Sequence, residues 1–262
     1  MQNSTEPLVS VIMPAYRCAA TIEKAIDSAL AQEVSLEILV LNDQSPDDLD
    51  QVMERYQNQP AVRYLKNERN LGAAATRNRG VQLARGAYTA FLDSDDWWEA
   101  GKLKKQLELM QREQVVLCST GRELVTPEGR LTGRIIGVRE QITYRSLLLH
   151  DCINCSSVLM KTEVAREFPM EHEDSHEDYI MWLRVLKKYK RAAAVNEPLL
   201  KYRLTTKGKS GNKLQSAKMT YRAYRYAGFG RSSALFWFCA YAVNGVFKYA
   251  KAYTGLAGKR SV

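Results

Sequence analysis

The stretch LVSVIMPAYRCAATIEKAIDSALAQEVSLEILVL, residues 8–41, decides the fold. It begins and ends with short apolar runs, LVSVIM and LEILVL, which are typical of buried strands. Between them, five apolar residues follow the i, i+3, i+4, i+7, i+8 spacing of one buried helix face: Ile22, Ala25, Ile26, Ala29 and Leu30. A helix from about Thr21 to Gln32 between two such strands predicts a parallel strand–helix–strand unit.

The same alternation continues along most of the chain. Strands are predicted at VRYLKN (62–67), AYTAFLD (87–93), VVLCST (115–120) and CSSVLMK (155–161). Helices are predicted at about 49–57, 72–84, 103–113, 144–149 and 179–189, with a turn at 126–130. This order predicts an α/β protein with a Rossmann-like, mixed and mainly parallel sheet, flanked by helices and followed by a helical, basic and aromatic appendage.

Length and composition indicate a folded protein. The 262 residues are 45% hydrophobic and 26% charged, which is ordinary for a soluble protein with a sizeable core. The N-terminus has no basic region, and Ser10 and Pro14 interrupt its apolar run, unlike a secretory signal. Five cysteines are an odd number, which favours reduced thiols. We therefore expect a cytoplasmic protein.

The net charge of +9 is unevenly distributed along the chain. Residues 1–186 carry 21 Lys and Arg against 28 Asp and Glu, a balance of −7. Residues 187–262 carry 17 against a single Glu, a balance of +16. The basic character therefore belongs to the C-terminal segment.

The segment FLDSDDWW, residues 91–98, places Asp93, Asp95 and Asp96 directly after the fourth predicted strand. In open α/β sheets, ligands bind outside the carboxyl ends of the strands. An Asp-x-Asp pair at such a position can hold Mg²⁺ or Mn²⁺ together with substrate phosphates. The alternative is that Ser94 or Asp95 caps a following helix.

Two further segments reach the same rim of the predicted sheet. Asp43, just past the second strand, could accept a hydrogen bond from a nucleobase or a ribose hydroxyl, and the alternative is a local turn before Pro46. In NLGAAATRNRG, residues 70–80, a glycine opens a helix that carries Arg77. A helix N-terminus with an arginine suits phosphate, and the alternative is an ordinary surface helix.

Glu177 and Asp178 open the helix that follows the charged loop EHEDSHED. First-turn acids can simply complement the helix dipole. Alternatively, one of them serves as a general base, which requires it to reach a substrate hydroxyl at the rim. The spacing leaves both readings open.

Five segments together carry a resemblance to a known family: VSVIMPAY, LNDQSPDD, NLGAAATRNRG, FLDSDDWW and HEDYIMWLR. In this order and at these intervals they closely resemble the family 2 inverting glycosyltransferases of the GT-A fold, over residues 8–203. The sequence looks most like bacterial enzymes that build surface polysaccharides. The resemblance implies transfer of a sugar with inversion, from a nucleotide sugar, a UDP-sugar, to a saccharide or lipid-linked saccharide, with Mn²⁺ or Mg²⁺ as cofactor.

The family pattern also implies a role for each matching residue. Nucleotide-sugar binding falls to Pro14, Ala15, Tyr16, Asp43, Arg77, Asp93 and Ser94. The metal ligands would be Asp95 and Asp96, and the catalytic base would be Asp178, supported by Glu177, Trp182 and Arg184.

The sequence departs from the family pattern at two places. Asn42 and Gln44 stand where members often have an aspartate and a glycine. Members also often carry a metal-binding His shortly after the Tyr-Arg pair, whereas Tyr202 and Arg203 are followed by Leu-Thr-Thr. The third protein ligand of the metal is therefore left open.

The predicted domain organisation follows from these patterns. Residues 1–203 form the catalytic domain, with a nucleotide-sugar half to about residue 100 and an acceptor half from 101. Residues 204–218, which include TTKGKSGNK, are predicted to be a flexible linker, and residues 219–262 a helical tail.

The tail favours a membrane surface as its partner. It has eleven aromatic residues between Met219 and Tyr253 and sixteen uncharged residues at 232–247, somewhat short of the ~20 needed to span a bilayer. Basic and aromatic side chains suit the anionic inner face of the cell membrane. The alternatives are docking on the catalytic domain or on another subunit, so a homo-oligomer is left open.

The competing hypothesis is a non-enzymatic binding protein. A basic tail with a balance of +16 would also attract nucleic-acid phosphates or a membrane. The acidic rim argues against nucleic acid, so none is expected as a partner.

Overall fold

One sheet of ten strands runs through the part of the chain that the computed structural model describes, residues 6–204 and 213–257. Side chains are described for residues 6–204 and 215–244. The strands are β1 (Val9–Ala15), β2 (Leu36–Asn42), β3 (Val62–Lys66), β4 (Tyr88–Phe91), β5 (Trp97–Trp98), β6 (Leu117–Val125), β7 (Leu131–Ile136), β8 (Gln141–Thr143), β9 (Leu159–Lys161) and β10 (Arg191–Arg203). The helices are α1 (Ile22–Leu30), α2 (Leu49–Met53), α3 (Ala73–Leu83), α4 (Lys102–Glu113), α5 (Tyr144–Leu149), α6 (Thr162–Glu167), α7 (Glu177–Tyr189), α8 (Lys213–Tyr226) and α9 (Arg231–Ala257).

The sheet has the order β3-β2-β1-β4-β9-β6-β10-β5, with β7 on β6 and β8 on β10. The first four strands pair in parallel, and β6 and β10 form a second parallel pair. Strand β9 joins the two parts by pairing antiparallel to both β4 and β6. The chain runs outward from β1 to β3 and then returns to the other side of β1, and such a switch point is where open sheets bind ligands.

Two apolar layers cover the two faces of the sheet. Along β1, Val9, Val11 and Met13 face the layer that includes α1 and α4, while Ile12 faces the layer that includes α3 and α7. This alternation is the period of two expected of a strand that is buried on both sides.

Helices α1 and α3 are held close to the sheet by small residues. Helix α1 buries Ile22, Ala25, Ile26 and Ala29, as the sequence predicts. On α3, a Cβ at Gly80 would lie 2.5 Å from Ile12 Cγ2. Only glycine therefore allows this close approach of α3 to β1.

Three predicted boundaries differ from the structure. The helix predicted at 49–57 is α2 followed by a 3₁₀ turn at Glu54–Tyr56. The strand predicted from residue 155 begins at Leu159, because the Asn154 side chain accepts a hydrogen bond from Ser156 N (3.0 Å) and holds residues 155–157 in a 3₁₀ turn. Helix α8 begins at Lys213, inside the predicted linker 204–218, of which residues 205–212 lie outside the described part of the chain.

The C-terminal helices pack against the acceptor half. The hydroxyl of Tyr224, on α8, donates to Leu148 O (2.6 Å), and Asn244 Nδ2, on α9, donates to Leu149 O (3.0 Å). The opposite face of α9 exposes Leu235, Phe236 and Val243, at 55%, 63% and 55%. Within residues 6–204 and 213–257, no helix combines the length and apolar character needed to cross a membrane.

Candidate active site

A cavity of about 590 Å³ opens at the carboxyl ends of β1, β2 and β4. All seven residues predicted to bind the nucleotide sugar line it, together with Asp95: Pro14, Ala15, Tyr16, Asp43, Arg77, Asp93, Ser94 and Asp95. Its wall also includes Arg17, Cys18, Asn70, Gly72, Glu173 and Arg203. The predicted rim residues therefore meet in one place, although they come from segments up to about 80 residues apart.

Asp43 organises one edge of this cavity. Its buried carboxylate accepts hydrogen bonds from Asn67 Nδ2 (2.6 Å), Leu71 N (2.8 Å) and Gly72 N (2.8 Å). The local turn before Pro46 is instead made by Asn42, whose Oδ1 accepts from Ser45 N (2.8 Å). The alternative reading of Asp43 as a turn residue is therefore wrong.

The acidic segment 93–96 is a turn between β4 and β5. Asp96 N donates to Asp93 O (3.1 Å), and Asp93 N donates to the Ser156 hydroxyl (3.1 Å). No helix begins here, because β5 follows at Trp97 and α4 begins at Lys102 with Gly101 as its N-cap. The alternative reading of Ser94 or Asp95 as a helix cap is wrong.

The two predicted metal ligands lie in different environments. Asp95 lines the cavity, and burial together with the charge of Asp93 raises the pKa of its carboxyl to about 6. Asp96 is only 1% exposed, and its Oδ1 accepts from Arg203 N on β10 (2.8 Å). Burial and the charge of Asp95 hold the pKa of Asp96 well above its usual value.

Arg77 joins the two acidic parts of the site. Its Nη2 donates to Asp93 Oδ1 (2.6 Å), and its Nη1 donates to Glu177 Oε1 (3.2 Å). Burial alone would lower the pKa of Arg77, but the charges of Asp93 and Glu177 keep it well above its usual value. The guanidinium thus stays charged in the interior and links α3 to the start of α7.

Asp178 stands at the first turn of α7, next to Glu177. Burial, followed by the charge of Glu177, raises the pKa of Asp178 to about 6, while Arg77 acts in the opposite direction. Asp178 Oδ1 accepts from Tyr179 N (2.8 Å). Asp178 is half-buried and is not one of the residues that line the cavity. A partly buried carboxylate with a raised pKa is a suitable base near neutral pH.

Trp182 and Arg184 lie behind this first turn of α7. Trp182 is fully buried and packs against Phe91 of β4, with ring centroids 6.2 Å apart. Arg184 pairs with Glu171, in the loop before α7. Both side chains therefore hold α7 and its preceding loop in place and do not line the cavity.

Among the cavity residues without a predicted role are two charged ones, Arg203 and Glu173. Arg203 donates from Nε to Asp95 O (2.9 Å) and from Nη1 to Pro127 O (2.7 Å), and Glu173 accepts from Ala73 N (2.7 Å). Arg203 is 108 residues from Asp95, and Glu173 is 100 residues from Ala73. No local sequence pattern encodes contacts of this range.

The site suits a hard cation only in part. Among the residues that the structure describes, no three His, Cys, Asp or Glu side chains are placed to hold a metal ion. Asp95 has a carboxylate in the cavity whose ionisation is disfavoured by Asp93. The cavity therefore fits a divalent cation that is held by one or two carboxylates and by the phosphates of a substrate.

The sequence is similar to those of known glycosyltransferases. The family model described as "Glycosyl transferase family 2" matches residues 10–164. The chain is 35% identical to the putative teichuronic acid biosynthesis glycosyltransferase TuaG of Bacillus subtilis, over 84% of this chain and 88% of the relative. It is 30% identical to WfaP of Escherichia coli, a UDP-Glc:α-D-GlcNAc-diphosphoundecaprenol β-1,3-glucosyltransferase, over 94% of this chain and 97% of the relative.

Solved structures share the same architecture. A crystal structure of Staphylococcus aureus TarS in complex with UDP-GlcNAc aligns with a TM-score of 0.71 at 17% identity, covering 97% of this chain and 76% of TarS. The mannosyltransferase PcManGT of Pyrobaculum calidifontis, in complex with GDP-Man and Mn²⁺, aligns with a TM-score of 0.69 at 18% identity, covering 99% and 77%. This likeness confirms the predicted GT-A fold.

Proposed function

Because the chain belongs to glycosyl transferase family 2, we propose that it transfers a sugar from a UDP-sugar to a saccharide acceptor with inversion, in the synthesis of a bacterial surface polysaccharide. The observation that carries this proposal is the cavity at the carboxyl ends of β1, β2 and β4, lined by eight of the residues predicted to bind the donor and its metal. WfaP and a second Escherichia coli relative, WfgD, which is 32% identical to this chain, are both UDP-Glc:α-D-GlcNAc-diphosphoundecaprenol β-1,3-glucosyltransferases, and this supports a UDP-sugar as the donor.

The proposed reaction is a single displacement. Asp178 takes the proton from an acceptor hydroxyl, the acceptor oxygen bonds to the anomeric carbon, and the bond from that carbon to the diphosphate breaks. The nucleoside diphosphate leaves with the bonding electron pair, and the configuration at the anomeric carbon inverts. Asp43 and residues 14–16 hold the nucleoside, and Asp93, Ser94 and Arg77 border the ribose and diphosphate.

A divalent cation would neutralise the charge that develops on the leaving diphosphate. We assign its protein contact to Asp95, which lines the cavity. The burial of Asp96 and its bond to Arg203 N support a different role for that residue, namely fixing the end of β10 against the acidic turn. The phosphate oxygens of the donor would complete the coordination.

A lipid-linked acceptor at the cytoplasmic face of the membrane completes the proposal. WfaP and WfgD act on diphosphoundecaprenol-linked sugars. The exposed face of α9, formed by Leu235, Phe236 and Val243, and the positive balance of residues 187–262 both suit an anionic lipid surface.

The experiment that tests the proposed activity is a donor screen with product analysis. The full chain is incubated with Mn²⁺, a diphosphate-lipid-linked sugar, and UDP-Glc, UDP-GlcNAc or GDP-Man in turn. We expect release of UDP from one UDP-sugar and, by NMR, a β-linkage formed from the α-linked donor. Release of nucleotide from none of them, or a product with the donor's own configuration, would contradict the proposal.

Membrane association is tested separately by sedimentation with anionic liposomes. The full chain should sediment at low salt, and the double variant L235S/F236S should stay in the supernatant. L131S is the matched control, because Leu131 is similarly exposed, at 58%, on β7. Equal sedimentation of the unmodified protein and both variants would show that this face of α9 does not bind the membrane.

A further inference from the structure

The loop at residues 171–176, EHEDSH, which we name the acidic loop, is held from outside by α8. Arg222 Nη1 pairs with Asp174 Oδ2 at 3.2 Å, and the Tyr226 hydroxyl donates to the same oxygen at 3.1 Å. The Tyr226 ring also stacks on His172, with centroids 3.6 Å apart and planes 3° apart. Two side chains of α8 therefore contact the two residues of the loop that flank Glu173.

A third contact lies deeper in the same interface. The fully buried Ser175 donates from its hydroxyl to Met219 O, on α8, at 2.8 Å. The Arg222–Asp174 pair, by contrast, is about half exposed on both sides. An exposed ion pair adds little to stability by itself, so this pair holds the loop jointly with the buried Ser175 bond and the Tyr226 stack.

The inner side of the acidic loop closes one end of the cavity. Glu173 Oε1 accepts from Ala73 N (2.7 Å) and Oε2 accepts from Ala74 N (3.3 Å), so its carboxylate caps the start of α3. Gly72 makes room for it, because a Cβ at residue 72 would lie 2.3 Å from Glu173 Oε2. Gly72 also has a φ of +85°, which favours glycine.

The backbone between these two sets of contacts is in an unfavourable conformation. His172 has a φ of +65°, in the left-handed region that side chains other than glycine rarely adopt. Such conformations persist where the surrounding structure fixes them, and they are frequent near active sites. Here the stack with Tyr226 on one side and the bonds of Glu173 on the other fix the residue.

The acidic loop contacts the helix that carries Arg77 and leads into the helix that begins with the proposed base. Through Glu173 it contacts α3, whose Arg77 bonds to Asp93 in the cavity and to Glu177. At its other end it runs directly into Glu177 and Asp178. A shift of the loop would therefore move the cap of α3 and the first turn of α7 together.

We propose that α8 positions the active site, with Arg222 and Tyr226 as positioning residues that hold the acidic loop so that Glu173 caps α3 and Asp178 is correctly placed. The inference rests on the proposed function for the role of Asp178, but the contact between Glu173 and α3 is independent of it. The C-terminal segment then has two roles: α8 positions residues of the active site, and α9 is the predicted membrane contact.

The first test is hydrogen exchange on the full chain, which needs no activity. R222A should speed exchange of the Ala73 and Ala74 amides by about two- to fivefold, the range for loss of an exposed ion pair, and Y226A and E173Q should speed it by about tenfold. R225A is the matched control, because Arg225 is on the same helix but donates to Phe229 O. Unchanged exchange in R222A and Y226A would overturn the proposal, whatever the enzyme transfers.

The second test is a double-mutant cycle on turnover. R222A and E173Q should each lower kcat by roughly tenfold through misplacement of the base, while the Kd for UDP stays within about twofold. Their effects should not add in R222A/E173Q, whereas R225A should leave kcat unchanged. R222K and Y226F, which keep the charge and the stacking ring, should recover most of the activity.

The two tests distinguish a failure of this inference from a failure of the proposed function. Additive effects of R222A and E173Q in an active enzyme would overturn this inference alone, and an inactive wild-type protein would overturn the proposed function alone. A variant that only loses stability would show a lower Tm with normal kcat below it, which also contradicts the proposal. If R222A does not fold, R222K and Y226F carry the same comparison against Y226A.

Discussion

The two ends of the parallel part of the sheet carry carboxylates in opposite electrostatic states. At the amino end, Glu37 accepts from the Ser10 hydroxyl (2.7 Å), from Arg85 N (2.8 Å) and from Arg63 Nη1 (2.9 Å). Burial alone would raise the pKa of Glu37, but these donors hold it below its usual value. This carboxylate is fully compensated by its own chain.

At the carboxyl end, Asp93 pairs with Arg77, but within the described part of the chain Asp95 and Asp96 of the acidic turn have no such charged partner for their carboxylates. Burial and neighbouring carboxylates raise the pKa of Asp95 to about 6 and that of Asp96 well above its usual value. Carboxylates in a cleft whose pKa is raised by burial and by like charge are candidates for a functional site. Glu37 is thus a structural acid, whereas the raised pKa of Asp95 is consistent with the metal-binding role that we propose for it.

The largest effect should follow from removing the proposed base. Asp178→Asn should lower kcat by about 10³-fold, within the range for loss of a general base, and leave the Kd for UDP nearly unchanged. Glu163→Gln, at an exposed acid of α6, is the matched control and should keep full activity. Initial rates of UDP release measure both, and an active Asp178→Asn protein would place the base elsewhere.

The next largest effect should appear at the opposite end of the sheet, in stability rather than activity. Glu37→Gln leaves Arg63 and Arg85 without their buried charge partner, which should reduce the free energy of unfolding by about 3 kcal/mol. Urea unfolding measures this change. Below its Tm, the variant should have a normal kcat. A lower kcat with unchanged stability would mean that Glu37 acts in the reaction and is not a structural acid.

The pH profile should show a smaller effect. With the pKa of Asp178 raised to about 6, kcat/KM should fall as the pH drops through about 6, because the base becomes protonated. Glu177→Gln removes the charge that raises this pKa and leaves Arg77, which lowers it. The acid limb should therefore move to lower pH, by about half a unit, and a shift to higher pH would contradict the assignment.

The smallest effect should be a gain in stability at the functional end. Asp95→Asn removes a repulsion between carboxylates, so Tm in the absence of metal and nucleotide should rise by about 1–3 °C. Glu37→Gln is the natural comparison, since the same change of residue type there lowers Tm. A fall in Tm for Asp95→Asn would mean that its carboxylate is structurally compensated after all.

Local patterns in the sequence were sufficient for much of the fold. The spacing of Ile22, Ala25, Ile26 and Ala29 predicts α1, and the order of strands and helices predicts the parallel half of the sheet. Because carboxyl ends of parallel strands meet at one rim, eight of the residues that line the cavity could also be predicted. The family resemblance then named candidate roles for them.

The remaining features depend on partners distant in the chain. Asp96 turns inward because Arg203 N, 107 residues away, donates to it. Glu173 accepts a hydrogen bond from Ala73 N at the start of α3, 100 residues away in the chain. Strand β7 was not predicted, since Leu131 and Ile135 are exposed and its pattern resembles a loop.

The measurement that tests the central claim most directly is the titration of UDP into the protein, by calorimetry, with Mn²⁺ and with a chelator. We expect the wild-type protein to bind UDP at least tenfold more tightly with Mn²⁺, and Asp95→Ala to bind it with one weak affinity in both conditions. Equal affinity of the wild-type protein with and without Mn²⁺ would show that the acidic turn does not hold a cation against a diphosphate.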